Sequence, residues 1–198
     1  MINIRKTVAS DAEKISELIR SLMHLFLVDP YGKGAEHFLQ MITPAGLTEL
    51  MALPNVNYLL GEDDGVFCGV VAVRNHSHLQ HLYIVPSFQG RGVGKYLWGT
   101  VRDQAIEAGN TGQFTVNAVL SAIPFYQRMG FASEGDVTLT GGLRCQPMKL
   151  IDHSIELKVP NAETRAAMLE ADELVQAQNK RANAATARTG IDWMLQQP

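Results

Sequence analysis

The spacing of apolar residues predicts both helices and strands along the first 150 residues. An amphipathic helix near the N-terminus is indicated by four apolar positions at helical spacing: Ile15, Leu18, Ile19 and Leu22. Ser10 and Glu13 have the three-residue separation of a capping box, so we expect this helix to begin at Ser10. A second helical region covers about 35–51, with a break expected near Thr43-Pro44.

Extended runs flank a hairpin signal and a long helical run. The runs 58–61 and 66–74 enclose the turn Glu62-Asp63-Asp64-Gly65, and an Asp-Gly pair between two strands is typical of a β-hairpin. The other predicted elements are a strand over 2–8, a strand over 79–85, a helix over about 93–108, a strand over 114–119, a short helix at Tyr126, and strands near 131–134 and 143–150.

The composition is that of an ordinary globular protein. The 198 residues are 46% hydrophobic and 19% charged, enough for one domain with an appendage. No run of about 18 apolar residues occurs, and the N-terminal residues lack the apolar stretch of a signal peptide. We therefore expect a cytoplasmic protein without a membrane span, with Cys68 and Cys145 as small core residues and no disulfide or metal site. The net charge of −3 gives no support to nucleic-acid binding.

Residues 89–94, Gln-Gly-Arg-Gly-Val-Gly, connect a predicted strand to a predicted helix. Free backbone N–H groups at a helix N-terminus bind phosphate oxygens, and Arg91 and Lys95 can add positive charge. The glycines at 90, 92 and 94 do not have the dinucleotide spacing, and Tyr96 replaces the hydroxyl residue of a P-loop. The run therefore indicates a phosphorylated cofactor of another kind, or a tight glycine turn without a ligand.

A second motif favours the cofactor. Gln89, Gly92 and Gly94 match the pattern Q/R-x-x-G-x-G/A, and about thirty residues later comes Ser-Ala-Ile-Pro-Phe-Tyr-Gln-Arg-Met-Gly-Phe at 121–131. The two motifs, in this order and spacing, resemble the GNAT (Gcn5-related) N-acetyltransferases over roughly residues 2–150. The resemblance implies an α/β fold over 1–150. Its central sheet is expected to be mixed, as in α+β proteins, and to be flanked by helices.

The resemblance also implies a reaction and a cosubstrate. It implies an acetyl-CoA-dependent N-acetyltransferase that moves an acetyl group to a primary amine, in a small molecule or a peptide, by direct attack and without a metal. The residues implied in acetyl-CoA binding are Leu82, Tyr83, Ile84, Val85, Gln89, Gly90, Arg91, Gly92, Val93, Gly94, Lys95 and Asn117. Residues expected to line the cleft for the acceptor amine are His24, Phe26, Tyr31 and Glu36.

Two side chains are candidates for proton transfer. Tyr126 occupies the tyrosine position of the second motif and is expected to protonate the CoA thiolate, or else only to pack against the cofactor. The attacking amine must also lose a proton to a general base. The candidates for this base are the histidines near 76–81, among which we choose His81, and the alternative is water connected to bulk solvent. Strand alternation is expected to put His78 on the face opposite to His81.

Residues 151–198 have a different character and are expected to form a C-terminal strand plus helical extension. An alternating run, 155–159, precedes a predicted helix from Asn161 to about Arg181. Residues 155–168 also weakly resemble RelB/DinJ-type antitoxins. The extension can therefore serve in packing on the first domain, in homodimerisation, or in binding a protein partner or DNA. The alternative function is a toxin–antitoxin-like regulatory protein, although the slightly acidic charge of the segment predicts no DNA binding.

Overall fold

A computed structural model of the protein describes residues 1–152. Its strands are β1 (Ile2–Lys6), β2 (Val56–Asp63), β3 (Val66–Arg74), β4 (His78–Ile84), β5 (Gln113–Ala118), β6 (Ala132–Ser133), β7 (Thr138–Thr140) and β8 (Leu143–Ile151). Its helices are α1 (Ala12–Leu22), α2 (Glu36–Met41), α3 (Pro44–Ala52), α4 (Val93–Glu107) and α5 (Ile123–Arg128). The strand and helix expected within 155–181 lie outside the described residues.

The strands form one mixed sheet in the order β1-β2-β3-β4-β5-β8-β6, with β7 paired to β8. Only β4 and β5 run parallel among these described strands, and every other pair is antiparallel. The predicted hairpin joins β2 to β3, and Asp64 and Gly65 both have positive φ, as a two-residue hairpin turn requires. The expected α/β fold, a mixed sheet flanked by helices, is confirmed.

Each face of the sheet carries its own hydrophobic core. Val71 and Val73 of β3 face the core that contains α4, whereas Val70 and Ala72, which alternate with them along the strand, face the core that contains α1 and α3. This alternation is the period of two that a strand buried on both faces imposes. The apolar stripe predicted for α1 is buried throughout: Ile15, Leu18, Ile19 and Leu22.

The start of α1 differs from the predicted capping box. A short 3-10 turn over Ala9–Asp11 precedes α1, and the carboxylate of Asp11 accepts a hydrogen bond of 2.8 Å from the N–H of Val8. The same carboxylate lies 2.7 Å from the Arg5 guanidinium and 2.8 Å from the ammonium of Lys14. The capping assignment to Ser10 and Glu13 was therefore wrong, because a buried ion pair fixes the helix start at Asp11.

The predicted break in the second helical region is confirmed. α2 ends at Met41 and α3 begins at Pro44. Proline suits the first position of a helix because the N–H that it lacks has no partner within the helix there. The hydroxyl of Thr43 accepts a 3.1 Å hydrogen bond from the N–H of Gly46 and caps α3. Cys68 is buried, Cys145 is half-buried, and both are free thiols. The short strand β7 was not predicted.

Candidate active site

The sheet opens between β4 and β5. In the described part of the chain, these strands pair only at His78 with Thr115 and at Leu79 with Val116. Beyond that point β5 continues to pair with β8 while β4 diverges from it. A cavity of about 650 Å³ lies at this opening, lined by both strands, the glycine-rich loop, α5 and the region after α1.

A β-bulge in β4 sits at the start of the opening. Ala72 of β3 pairs with His81 and Val73 pairs with Leu79, so Gln80 is the extra residue. The bulge interrupts the alternation, since Leu79 packs into the core with Val116 whereas His81 packs against the opposite core.

The bulge also changes the face on which His78 lies. Its Nδ1 is 2.8 Å from the hydroxyl oxygen of Thr115, which lies between the inward-facing Phe114 and Val116 of the first core. His78 and His81 are therefore on the same face of the sheet. The expectation of opposite faces was wrong because simple alternation cannot include a bulge.

The glycine-rich loop after β4 presents free backbone N–H groups to the cavity. Gly92 caps the fifteen-residue α4 with φ +84°, a left-handed conformation that glycine adopts without strain. Within residues 1–152, the N–H groups from 90 to 95 have no hydrogen-bond partner, in keeping with the orphan donors of a helix start. The side-chain amide of Gln89 donates to the carbonyl of Ile84 at 3.1 Å and ties the loop to the end of β4.

Two basic residues of this loop have different positions. Lys95 lines the cavity. Arg91 lies outside the lining; its guanidinium stacks 5.0 Å from the centroid of the Phe88 ring and is 3.6 Å from the carboxylate of Asp63. The N-terminal end of the α4 dipole and Lys95 therefore provide the positive potential at the cavity, which suits an anionic ligand.

Tyr126 of α5 lines the cavity close to this loop. Only 6% of the residue is exposed, and burial raises the pKa of its phenol, so the hydroxyl is protonated at neutral pH. In the part of the chain that the structure describes, this hydroxyl makes no hydrogen bond. A Cβ atom placed on Gly94 would lie 3.4 Å from the Phe125 ring, so α4 begins in close contact with α5.

His81 lies behind the cavity wall. It is 6% exposed, and burial lowers the pKa of its imidazole to about 4. Its Nδ1 shares a 2.9 Å hydrogen bond with the hydroxyl of Tyr58, and its ring centroid is 5.4 Å from that of Tyr83. Tyr83 itself lines the cavity, so His81 supports a lining residue from the core side.

The comparison with family models decides the family. Residues 26–151, more than half of the chain, match the model described as acetyltransferase (GNAT) domain. The chain belongs to the GNAT acetyltransferase family. The resemblance carried by the motifs at 89–94 and 121–131 is thereby confirmed. The match ends at residue 151, and the antitoxin resemblance expected over 155–168 is not shown.

Solved structures share the GNAT fold at low sequence identity. The PaiA N-acetyltransferase from Thermoplasma acidophilum, in complex with coenzyme A, is 17% identical with a TM-score of 0.60, over 75% of this chain and 98% of that one. A variant of the spermidine N-acetyltransferase SpeG from Vibrio cholerae is 16% identical with a TM-score of 0.56, over 78% and 95%. N-acetylglutamate synthase from Neisseria gonorrhoeae, with coenzyme A and N-acetyl-glutamate, is 17% identical with a TM-score of 0.57, over 77% and 35%. A search of curated protein sequences finds no match.

Most residues assigned to the GNAT site from the sequence line the one cavity. The predicted residues found in the lining are Leu82, Tyr83, Ile84, Gln89, Gly90, Gly92, Val93, Gly94, Lys95, Asn117 and Tyr126. Val85, Arg91 and His81 are outside the lining, and the N–H of Val85 donates to the carbonyl of Cys68 at 3.0 Å. Of the residues expected at the acceptor cleft, Phe26 lines the cavity, whereas Tyr31 is 95% exposed to solvent and His24 and Glu36 lie outside the lining.

Several residues that line the cavity were not predicted from the sequence. Leu22 at the end of α1 and Leu25 in the turn after it both line the cavity, as does Arg128 at the end of α5. Gln80 lines it too, and its side-chain carbonyl oxygen is buried without a hydrogen-bond partner among residues 1–152. No sequence signal identifies Gln80, because the bulge that turns it into the cavity depends on pairing with β3.

Two further findings concern residues 1–152. No group of three or more His, Cys, Asp or Glu side chains is arranged there to hold a metal ion. None of the described helices combines the length and the apolar character needed to cross a membrane.

Proposed function

We propose that this GNAT protein is an acetyl-CoA-dependent N-acetyltransferase that moves the acetyl group to a primary amine by direct attack. The observation that carries the proposal is the cavity between the diverging strands β4 and β5, which opens onto unpartnered N–H groups of the loop. Two proteins of the same fold, from Thermoplasma acidophilum and Neisseria gonorrhoeae, have been solved with coenzyme A. Their fold supports the same cosubstrate here.

The loop and the strand ends fit the cosubstrate. A Cβ atom added to Gly90 or Gly92 would meet nothing within 4 Å, so a ligand can approach this backbone closely. We assign the pyrophosphate to the N–H groups of 90–95, with Lys95 adding positive charge. Backbone groups of Leu82–Ile84 face the opening and can pair with the amides of the pantetheine arm, as can the exposed side chain of Asn117.

The chemistry needs few protein groups. When bound, acetyl-CoA supplies the thioester, and an amine nitrogen that attacks its carbonyl forms the C–N bond as the C–S bond breaks. A backbone N–H of β4 can donate to the carbonyl oxygen as it gains negative charge. Tyr126 is assigned the proton that the departing thiolate requires, because its hydroxyl is protonated and the residue lines the cavity.

The route of the amine proton has two candidates. His81 has the right chemistry, and its low pKa keeps it neutral, but its position behind Tyr83 separates it from the cavity. This favours water in the cavity as the immediate acceptor, with His81 supporting Tyr83. A His81→Gln enzyme whose pH–rate profile keeps the wild-type shape supports water. Loss of an ionisation from that profile makes His81 the base.

Binding and turnover test the proposal directly. Calorimetric titration with acetyl-CoA is expected to give saturable binding, whereas ATP and NAD⁺ bind far more weakly. Incubation with acetyl-CoA and a panel of primary amines should release CoA thiol and yield a product heavier by one acetyl group in mass spectrometry. No binding of acetyl-CoA at millimolar concentration excludes the proposed function.

The division into 1–150 and 151–198, a homodimer and a cytoplasmic location stay predictions. The toxin–antitoxin-like alternative depends on residues 155–168, which lie outside the described residues. No observation on residues 1–152 favours it.

A further inference from the structure

Gln80 lines the cavity and carries a buried hydrogen-bond acceptor that has no partner within residues 1–152. It is the bulged residue of β4, next to the last pair that joins β4 to β5. Its Oε1 is buried and has no partner among residues 1–152. A buried polar atom without a partner costs free energy, and a ligand that donates to it recovers that cost. A ligand donor that reaches this oxygen from the cavity would supply the partner that residues 1–152 do not.

The wall of the cavity on the α1 side is apolar and aromatic. It is formed by Leu22 and Leu25, from α1 and the turn that follows, and by Phe26 and Tyr83. The rings of Phe26 and Tyr83 are 6.4 Å apart between centroids, and Phe26 also packs edge-on against Phe38 at 5.5 Å. Leu22 and Phe26 belong to the buried core and Tyr83 packs against it, whereas Leu25 is 44% exposed. The wall is therefore an apolar surface suited to a hydrocarbon body.

The charges that line the cavity are positive. In the described chain the ionised side chains of the lining are Lys95 and Arg128. A ligand that brings one cationic amine into this space is tolerated once the amine is deprotonated for attack. A second ammonium group on the same ligand would stay charged beside the apolar wall, at a large desolvation cost, because the described residues that line the cavity include no Asp or Glu to pair with it.

We propose that the acceptor is a small primary monoamine with an apolar body, whose nitrogen donates a hydrogen bond to Oε1 of Gln80 and whose body lies on Phe26 and Tyr83. This proposal rests on the proposed function and specifies its acceptor. Gln80 orients the amine by holding one N–H, which leaves the lone pair directed at the thioester carbonyl. Polyamines are poor acceptors for the same site, in contrast to the spermidine enzyme of the same fold.

Two amines of equal size test the apolar body. n-Hexylamine and cadaverine have the same chain length and differ in a terminal methyl against a terminal ammonium. We expect kcat/KM for n-hexylamine to exceed that for cadaverine at least about tenfold, with phenethylamine also a good substrate and spermidine a poor one. Equal or better turnover of cadaverine or spermidine overturns the proposal, as does failure to acetylate either apolar amine.

Variants of Gln80 test the hydrogen bond. Gln80→Leu keeps the volume and loses the acceptor oxygen, and it should lower kcat/KM for n-hexylamine roughly tenfold to a hundredfold, mostly through KM. Gln80→Glu keeps an acceptor oxygen and should retain more activity than Gln80→Leu. The matched control is Gln127→Leu, at an exposed position of α5 outside the lining, which should leave both constants unchanged.

Titration with acetyl-CoA separates the two levels of failure. If wild-type protein does not bind acetyl-CoA, the proposed function itself fails. If Gln80→Leu binds acetyl-CoA as tightly as wild type and loses only amine turnover, Gln80 acts on the acceptor as proposed. If the variant instead loses acetyl-CoA affinity with an unchanged KM for the amine, Gln80 binds the pantetheine arm and the inference is overturned. A circular dichroism spectrum like that of wild type confirms that the variant is folded.

Discussion

Tyr58 and His81 share a 2.9 Å hydrogen bond although their strands, β2 and β4, are not neighbours in the sheet. The bond passes over Ala72 of β3, which pairs with Tyr58 on one side and with His81 on the other. Alanine at this fully buried position leaves the space that the two larger side chains fill. A single polar link thus spans three strands inside an apolar core.

The stability of the protein should depend on pH through His81. Its pKa is lowered from about 6.5 to about 4 by burial, so the unfolded state binds more protons between these values. The free energy of unfolding is therefore expected to fall as pH decreases from about 6.5 to about 4, by at most roughly 3 kcal/mol. Urea unfolding at a series of pH values measures this slope.

Two variants show whether the slope belongs to His81. His81→Gln keeps a hydrogen-bonding group for Tyr58 and should flatten the dependence between pH 4.5 and 6.5, the range below the ordinary pKa of histidine. His37→Gln, at an exposed position of α2, should keep the wild-type slope. A slope that persists in His81→Gln would assign the pH dependence to other groups.

Tyr126→Phe should separate chemistry from binding. Loss of the phenol proton is expected to lower kcat about a hundredfold, the lower range for a general acid, with little change in acetyl-CoA affinity because the ring remains. Tyr31→Phe removes a hydroxyl from a residue that is 95% exposed and should leave kcat unchanged. Steady-state kinetics and calorimetry measure both quantities. Unchanged kcat in Tyr126→Phe limits its role to packing.

Gly92→Ala should weaken acetyl-CoA binding. An alanine at φ +84° is strained by roughly 1–2 kcal/mol, which shifts the loop away from its binding conformation and lowers affinity about tenfold. Gly65→Ala supplies the control, since Gly65 has φ +81° and equally open surroundings in the β2–β3 hairpin. Both variants should lose similar thermal stability, and only Gly92→Ala should lose affinity in calorimetry. Equal affinities in the two variants would place the phosphates elsewhere.

Asp11→Asn should destabilise the fold. The change weakens the interactions of Asp11 with Arg5, Lys14 and the N–H of Val8, and the expected loss is roughly 1–3 kcal/mol. The Arg5 hydrogen bonds are the main reason that the pKa of Asp11 lies well below its usual range, so this stability is present above pH 4 and is lost in acid. Denaturant unfolding at pH 7 checks the loss. Glu13→Gln, on the exposed side of α1, should change the free energy of unfolding by less than about 0.5 kcal/mol.

The parts of the site that the sequence predicted are encoded locally. The glycines at 90, 92 and 94 and the helix after them determine, within a few residues of chain, a glycine-rich turn with free N–H groups, which is the proposed phosphate site. Tyr126 follows in a short helix whose motif has its own internal spacing, and residues of both elements line the cavity. Such features need no information about which strands pair.

The parts that were missed depend on contacts between distant segments. The bulge at Gln80 depends on the register with Ala72 and Val73 of β3. The sequence alone therefore could not predict the face on which His78 lies, or the side-chain oxygen of Gln80 without a partner among residues 1–152. The burial of His81 depends on Tyr58, 23 residues earlier in the chain. The start of α1 likewise follows from an ion pair between β1 and Asp11, which outweighs a local capping pattern.

The narrow join between β4 and β5 divides the sheet into two halves. β1 to β4 form one half and β5 to β8 the other, and within the described chain β4 and β5 pair at two positions. A further hydrogen bond of 2.9 Å runs from the N–H of Thr115 to the carbonyl of Ser77, just before β4. A ligand that lies in the opening takes the place of the missing strand pairing. We therefore expect the protein to unfold at a higher temperature when the opening is filled.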